Sequence, residues 1–245
     1  MDTNRKKDMR NNTSKYIRWS FLICCFVLGI SSCNKDDYYR DGGLASGDFK
    51  GNMLEYLESK PNDFDTIVQV IKLAGMEETF RNEELTFFAP NDKLIRETIK
   101  QLNPELNRLY LDTVVQLSDV KPEIWAKYLS RYLFKGTYQL ADYTQIDFDL
   151  INTFPGQNYF SYDGTVLNVG VVYEPANGVK YLGYRRLVLS YIPDISKPKD
   201  NWLRTNISSS DIHPNNGYVH TLAYDGKLFG FSFNDFFQDV LLSKR

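Results

Sequence analysis

The feature that most constrains the fold is a change of hydrophobic period near Lys135 and Gly136. Before this point, apolar residues recur at steps of three and four residues, as they do on one face of a helix. After it, short runs of alternating apolar and polar residues are separated by Asp-Gly and similar dipeptides, which is typical of strands and hairpins. This order predicts an α+β domain in which N-terminal helices pack on mostly antiparallel β-strands.

The first half of the sequence predicts four helices and one buried strand. The helices begin near residues 52, 62, 92 and 122. In the second helix, Asn62 or Asp63 is expected to cap the first turn, and Gly75 stands where the chain leaves the helix. The apolar run at residues 85–89 predicts a buried strand, which Pro90 ends because proline cannot donate to a sheet.

The second half predicts strands joined by turns and one long loop. The predicted strands are residues 148–154, 158–162, 165–172, 181–192, 217–223 and 228–233. Asp163-Gly164 is the expected hairpin turn between the second and third of these, and Asp225-Gly226 separates the last two. The polar segment near residues 193–206 predicts an extended loop, which is a natural place for individual binding properties.

The N-terminus has the pattern of a bacterial export signal. Basic residues precede the apolar run Trp19–Ile30, which is shorter than the roughly 20 residues that a membrane-spanning helix needs. The sequence ISSC, which ends at Cys33, resembles the lipobox of bacterial lipoproteins. This resemblance implies a signal peptide over residues 1–32 and a fatty-acylated Cys33, with palmitate among the acyl chains. An uncleaved anchor or an ordinary secretory peptide is the alternative.

The segment after Cys33 bears on location. Residues 33–50 are rich in Asp and Gly and predict a lipidated, flexible tether. Within it, Lys35-Asp36-Asp37 is similar to the signal that sends some Gram-negative lipoproteins to the outer face of the outer membrane. We therefore expect a lipid anchor in the outer membrane that faces the cell exterior, with the periplasmic face as the alternative.

Charge and cysteine content exclude several classes of partner. The whole chain has a formal charge of −2, and loss of residues 1–32 removes six basic and two acidic residues, which leaves about −6. Nucleic-acid binding needs a basic surface, so nucleic acid is not an expected partner. The mature chain keeps one cysteine and can form neither an internal disulfide nor a metal site built from several thiolates.

Residues 86–92, TFFAPND, and residues 215–220, NNGYVH, form two distinctive boxes. Together they resemble the fasciclin-like domain family. Residues 86–92, TFFAPND, are similar to its first signature, a buried strand that runs into a helix capped by Asn91 or Asp92. Residues 215–220, NNGYVH, resemble its second signature, an Asn-Gly turn that leads into a central strand carrying a histidine. The resemblance spans roughly residues 52–233. It implies a fasciclin-like domain at residues 51–245, used for adhesion or recognition outside the cytoplasm, with no cofactor and no catalysis.

One position departs from the family pattern. Arg131-Tyr132 stands where the family usually has a Tyr-His pair, which contributes to cell-adhesive contacts in some relatives. The replacement leaves any receptor specificity of this chain open.

Side chains for catalysis or metal binding are few. His213 and His220 are seven residues apart and bracket an Asn-Gly turn, a spacing that suits no helix-borne metal pair. We interpret His220 as a hydrogen-bonded strand histidine, with a catalytic base as the alternative. Asp142, Asp147 and Asp149 could indicate a glycosidase pair or a calcium site, but they lack the alternating-acid loop that calcium needs. Solvated turn and edge positions are the favoured interpretation, and the sequence predicts no enzyme and no metal.

Exposed aromatic side chains remain as predicted ligand-binding residues, because they stack on sugar rings and on peptide side chains. Trp202 lies in the polar predicted loop, and Tyr173, Tyr181 and Tyr184 are the further candidates. The expected partners are a membrane, through the lipid, and a protein or polysaccharide ligand. The alternative function is an accessory subunit of an outer-membrane glycan or nutrient uptake complex, with transporter proteins as partners.

Overall fold

The structure is a computed structural model that describes residues 47–197 and 199–244. The predicted signal peptide, Cys33 and nearly all of the predicted tether lie outside the described residues. Within them, the chain forms these helices and strands in order: α1 (Met53–Glu58), α2 (Pro61–Leu73), α3 (Glu77–Asn82), β1 (Leu85–Ala89), α4 (Asp92–Arg108), α5 (Pro122–Ser130), β2 (Leu133–Lys135), β3 (Gln157–Phe160), β4 (Val166–Tyr173), β5 (Arg185–Tyr191), β6 (Leu203–Ile212), β7 (Gly217–Leu222) and α6 (Phe233–Ser243). No helix among the described residues is both long enough and apolar enough to cross a membrane.

The strands form one seven-stranded sheet in the order β2-β1-β7-β6-β5-β4-β3. Every neighbouring pair is antiparallel except β1 and β7, which run parallel and lie side by side. Side chains from the helices and the strands meet in one buried core. The predicted α+β class, with N-terminal helices and a mostly antiparallel sheet, is confirmed.

Local capping explains where several helices begin and end. The Asn91 side chain accepts hydrogen bonds from the backbone N–H groups of Lys93 and Leu94, and α4 therefore begins directly after Pro90. Gly75 ends α2 with a φ of 67°, as predicted. The predicted cap of α2 by Asn62 or Asp63 is wrong, because Pro61 occupies the first turn and no side chain caps this helix.

Two predicted strands are wrong. In residues 148–154, the Asp147 carboxylate accepts hydrogen bonds from the N–H groups of Asp149 and Leu150, which folds the chain into a turn. In residues 228–233, Gly230 and Phe231 have φ values of 82° and 68°, and α6 begins at Phe233. Backbone in the left-handed region cannot continue a strand.

The predicted extended loop at residues 193–206 is also corrected, because β6 begins at Leu203, which pairs with Tyr191 of β5. The sequence of β6 is mostly polar, but Thr205 and Ile207 alternate into the core and hold it in the sheet. Conversely, the strand predicted from residue 181 begins only at Arg185. Residues 174–184 therefore join β4 to β5, and we call them the β4–β5 connection.

Candidate functional site

A cavity of about 290 Å³ lies beside the β4–β5 connection. Its walls come from three places: the turn at residues 146–149, the end of β4, and the connection itself. The lining combines apolar side chains with charged ones, among them Ile146, Phe148, Val172, Asp149, Glu174 and Lys180. Two of the predicted ligand-binding residues, Tyr173 and Tyr181, line the same cavity.

The β4–β5 connection is held by its own backbone. Ala176 and Val179 exchange N–H to C=O hydrogen bonds of 3.1 and 2.9 Å around an Asn-Gly turn, the dipeptide that a two-residue hairpin favours. Nearer the sheet, the N–H of Gly183 donates to the carbonyl of Glu174 at 2.7 Å. A Cβ at Gly183 would lie 2.6 Å from that carbonyl oxygen, so only glycine allows this approach. The connection is therefore an ordered extension of the β4–β5 hairpin.

Tyr181 has the most unusual conformation in the lining. Its φ is 66°, a left-handed conformation that costs a bulky residue roughly 1 kcal/mol. Two contacts hold the side chain in place. The hydroxyl donates to Oδ2 of Asp147 at 2.7 Å, and the ring meets Phe154 edge-on at 5.8 Å between centroids. Strain of this kind persists only where surrounding contacts fix the residue, and it is common at binding sites.

The Asp147 carboxylate joins two walls of the cavity. Besides the Tyr181 hydroxyl, it accepts from the backbone N–H groups of Asp149 and Leu150. The hydrogen bond from Tyr181 is the main cause that holds the pKa of Asp147 below its usual value, and the same bond raises the pKa of Tyr181. At neutral pH, Asp147 is therefore an ionised acceptor and Tyr181 a neutral donor.

The remaining charged groups of the lining differ in their pairing. Oε1 of Glu174 accepts from Nε and Nη2 of Arg186 at 3.2 and 2.7 Å, which neutralises this carboxylate. The Asp149 carboxylate and the Lys180 ammonium form no hydrogen bond or ion pair within the described part of the chain. Lys180 acts on the neighbouring Asp147 only through its charge, and Asp149 acts on Tyr181 in the same way, so the hydrogen-bonding capacity of both groups is left for a ligand.

The predicted residues Trp202 and Tyr184 lie outside the lining. Trp202 is half-buried, and its ring stands edge-on to Phe148 at 6.3 Å between centroids. The guanidinium of Arg204 lies 3.6 Å from the centre of the same Phe148 ring. Tyr184 is 69% exposed on the β4–β5 connection. The structure thus brings Tyr173 and Tyr181 together and puts Trp202 behind the wall that Phe148 forms.

Sequence reasoning missed Phe148 and Lys180 as parts of the site. Phe148 lies in a segment that the sequence assigned to a strand, and Lys180 belongs to no motif. Asp149 was noticed, but as a solvated turn residue. No periodicity or motif connects these three positions.

His220 is confirmed as a hydrogen-bonded strand histidine. It is fully buried in β7, where Nε2–H donates to the carbonyl of Tyr138 at 2.9 Å and Nδ1 accepts from the N–H of Asp211 at 3.2 Å. Burial is the main cause that lowers its pKa, so the ring is neutral. A buried ring with both nitrogens bonded to backbone cannot reach a substrate.

Arg131 and Tyr132 are buried too. The Arg131 guanidinium lies between the rings of Tyr128 and Tyr191, and its Nη1 donates to the carbonyl of Gly230 at 2.8 Å. The Tyr132 hydroxyl accepts from the N–H of Gly230, also at 2.8 Å. The pair therefore anchors the segment before α6 and does not present a contact surface.

Asp142, the third acid of the sequence analysis, lies apart from Asp147 and Asp149. Asp142 accepts from the N–H of Gln139 at 2.8 Å in a short turn, away from the cavity lining. Within residues 47–197 and 199–244, no three His, Cys, Asp or Glu side chains come together as a metal-binding group.

Comparisons with known proteins give a likeness to solved structures and no match in sequence. A scan against protein-family models finds no match, and a search of curated protein sequences finds none. Among solved structures, the chain is similar to one described as a FAS1 domain pair from the insect cell adhesion molecule fasciclin I, with a TM-score of 0.47 and 18% sequence identity. The similarity covers 71% of this chain and 50% of that one, so the chain spans about half the length of the domain pair. A likeness at this level says nothing about ligands, and function has to be argued from the site.

Proposed function

We propose that the chain is a fasciclin-like recognition domain, held on the outer membrane by a lipid on Cys33, that binds a protein or polysaccharide without catalysis. One observation carries the proposal: the cavity beside the β4–β5 connection, where three aromatic rings and two charged groups without a hydrogen-bond partner among the described residues line one space. Aromatic side chains of this kind supply large contact area at low cost in side-chain entropy.

The two sequence boxes support a fasciclin-like assignment through their positions in the sheet. The first box forms β1 and the capped start of α4, and the second forms the turn into β7. Phe88 of the first box is in register with His220 of the second across the parallel pair, inside the sheet. Several residues that carry the resemblance, among them Phe88 and His220, are therefore core residues, and the exposed connections are left for recognition.

The chemistry of the cavity supports a non-catalytic role. Its lining contains no Ser, Thr, Cys or His side chain that could act as a nucleophile or a base near neutral pH. A glycosidase needs one carboxyl group that stays protonated, which requires a raised pKa. Asp147 has a lowered pKa and accepts hydrogen bonds from three donors, and the Glu174 carboxylate accepts from the Arg186 guanidinium. Neither of these two carboxylates suits the general acid, and Asp149, the third carboxylate of the lining, is exposed to solvent.

The anchor is tested by replacing the cysteine. In cells expressing Cys33→Ser, we expect the protein to leave the membrane fraction, whereas the wild-type chain remains and carries fatty acid that mass spectrometry detects. Cys24→Ser and Cys25→Ser, within the expected signal peptide, serve as matched controls and should leave partition unchanged. Persistence of Cys33→Ser in the membrane fraction, with no acyl chain on the wild type, would contradict the anchor.

Recognition is tested with the detergent-solubilised lipoprotein on panels of matrix proteins and polysaccharides. Tyr173→Ala and Trp202→Ala should weaken binding, the first by removing a ring from the lining and the second by loosening the Phe148 wall. Phe160→Ala is the matched control, since Phe160 is 76% exposed on the edge strand β3 and does not line the cavity. Binding that is flat across both panels would refute a recognition role.

A second candidate function is an accessory subunit of an outer-membrane uptake complex, and the connection between α4 and α5 favours it. Tyr110 is 97% exposed with a φ of 58°, and Val115 is 89% exposed. Large apolar side chains exposed on one connection suit contact with another protein, here a transporter. Membrane pull-downs should then retain a transporter with the wild type and lose it with Tyr110→Ala combined with Val115→Ala. Pull-downs that recover no transporter with the wild type would contradict this candidate.

A further inference from the structure

The cavity beside the β4–β5 connection has two kinds of wall. Ile146, Phe148 and Val172 make an apolar floor and side, and the rings of Tyr173 and Tyr181 extend it. The charged groups of Asp149 and Lys180 belong to the same lining. Apolar surface with a few convergent polar groups is the usual composition of a small-molecule site. A pyranose ring matches this arrangement, because its C–H faces are apolar and its hydroxyls point outward around the ring.

The volume limits the size of the ligand. At about 290 Å³, the cavity lies at the lower end of the range for small-molecule sites, which begins near 300 Å³. This space suits a ring-sized unit. An extended peptide would instead need a groove or a free strand edge to satisfy its backbone groups. The lining therefore favours one sugar unit over a length of polypeptide.

The two unpaired charged groups indicate the charge of the ligand. The Asp149 carboxylate group offers hydrogen-bond acceptors, and the Lys180 ammonium can only donate. A hydroxyl both donates and accepts, so a neutral polyol can bond to both groups at once. An acidic sugar would meet the Asp149 carboxylate beside the ionised Asp147, and a cationic ligand would meet Lys180.

The site is also organised before any ligand arrives. The hydrogen bond from Tyr181 to Asp147 joins the connection to the turn at residues 146–149, so two walls are fixed relative to each other. Tyr181 keeps a left-handed backbone conformation that its neighbours enforce. Walls fixed in advance reduce the entropy that binding has to overcome.

We propose that this cavity binds one neutral pyranose unit of a polysaccharide, with the ring against Tyr181, Tyr173 and Phe148 and its hydroxyls bonded to Asp149 and Lys180. The assignment rests on the proposed recognition function and names its ligand class. The saccharide is bound and released unchanged.

The test is calorimetric titration of the detergent-solubilised lipoprotein with neutral oligosaccharides, an acidic oligosaccharide and an unstructured peptide as separate probes. A neutral oligosaccharide should bind saturably, and Asp149→Asn and Lys180→Met should each weaken it about ten-fold or more, as expected for a lost hydrogen bond to a charged group. Asp112→Asn and Lys121→Met change exposed residues outside the lining and should leave affinity unchanged. Thermal unfolding of each variant checks that the domain still folds.

The outcomes separate this assignment from the broader proposal. Preference for the acidic probe or the peptide overturns the neutral-pyranose assignment. So does a neutral oligosaccharide whose affinity is the same in Asp149→Asn, in Lys180→Met and in the wild type. In each of these cases the domain still recognises a ligand, and the recognition function stands. If none of these probes and no member of the protein and polysaccharide panels binds, both proposals fall.

Discussion

Replacing Asn216 by alanine should destabilise the domain far more than the same change at Asn215. The Asn216 side chain connects three elements: Oδ1 accepts from the N–H of Met53 at the start of α1, and Nδ2 donates to the carbonyls of Phe80 and Glu83 at the end of α3. The distances are 2.8, 3.1 and 2.9 Å, and the residue itself leads into β7. One amide therefore ties two helices to the central strand.

The size of the effect follows from these three bonds. A neutral hydrogen bond contributes about 1 kcal/mol net, so Asn216→Ala should lower the free energy of unfolding by about 3 kcal/mol. Asn215 is exposed, and its side chain makes no hydrogen bond within the described residues. Asn215→Ala should therefore change stability by no more than about 0.5 kcal/mol.

Urea unfolding, monitored by tryptophan fluorescence, measures the stability of both variants. The slope of the transition checks that both expose the same amount of surface on unfolding. Asn216→Asp sharpens the comparison, since it keeps the acceptor for Met53 but turns a carboxylate toward two carbonyl oxygens. It should be at least as destabilising as alanine. If Asn216→Ala falls within about 1 kcal/mol of Asn215→Ala, then the second box does not hold the helices to the sheet in the way described.

Three further predictions concern the core. Gly217→Ala should lower the free energy of unfolding by more than about 4 kcal/mol or prevent folding, because φ is 147° and the new Cβ would lie 1.7 Å from the carbonyl oxygen of Leu85. A soluble variant with unchanged thermal unfolding would contradict this. Arg131→Met should lower the free energy of unfolding, measured with urea, by about 2 to 4 kcal/mol, because Asp163 loses its buried guanidinium partner. An unchanged unfolding midpoint would show that the guanidinium is dispensable. The unfolding free energy should fall as pH drops below 6.5, because the unfolded histidine binds a proton there that buried His220 does not. Above that pH the histidine is neutral in the folded and in the unfolded chain, so it adds no pH dependence. His220→Gln should remove the extra pH dependence of the unfolding free energy below 6.5. An equal pH dependence in the wild type and in this variant would contradict the lowered pKa.

Elements governed by neighbouring residues could be predicted from the sequence. The step from β1 into α4 is one of them: five buried residues form the strand, Pro90 ends it, and Asn91 caps the helix. The end of α2 at Gly75 is another. In both, the determining hydrogen bonds join residues only a few positions apart.

Elements held by distant partners could not be predicted. Phe229 and Phe231 alternate with other residues as they would in a strand, but the Tyr132 hydroxyl, 98 residues away in sequence from Gly230, bends this segment out of extended conformation. The same limit applies to the candidate site. Aromatic character pointed to Tyr173 and Tyr181 separately, whereas the bond from Tyr181 to Asp147, across 34 residues, brings the walls together. Periodicity contains no information about such a contact.

Ligand binding at the cavity beside the β4–β5 connection is the central claim. Amide chemical-shift mapping by NMR measures the location of binding directly. The tightest-binding member of the panels is titrated into the isotope-labelled lipoprotein in detergent micelles. We predict shifts at residues 146–149 and 172–184, around the cavity, with residues 109–117 unchanged. Shifts confined to residues 109–117, or to any surface away from the β4–β5 connection, would contradict the account.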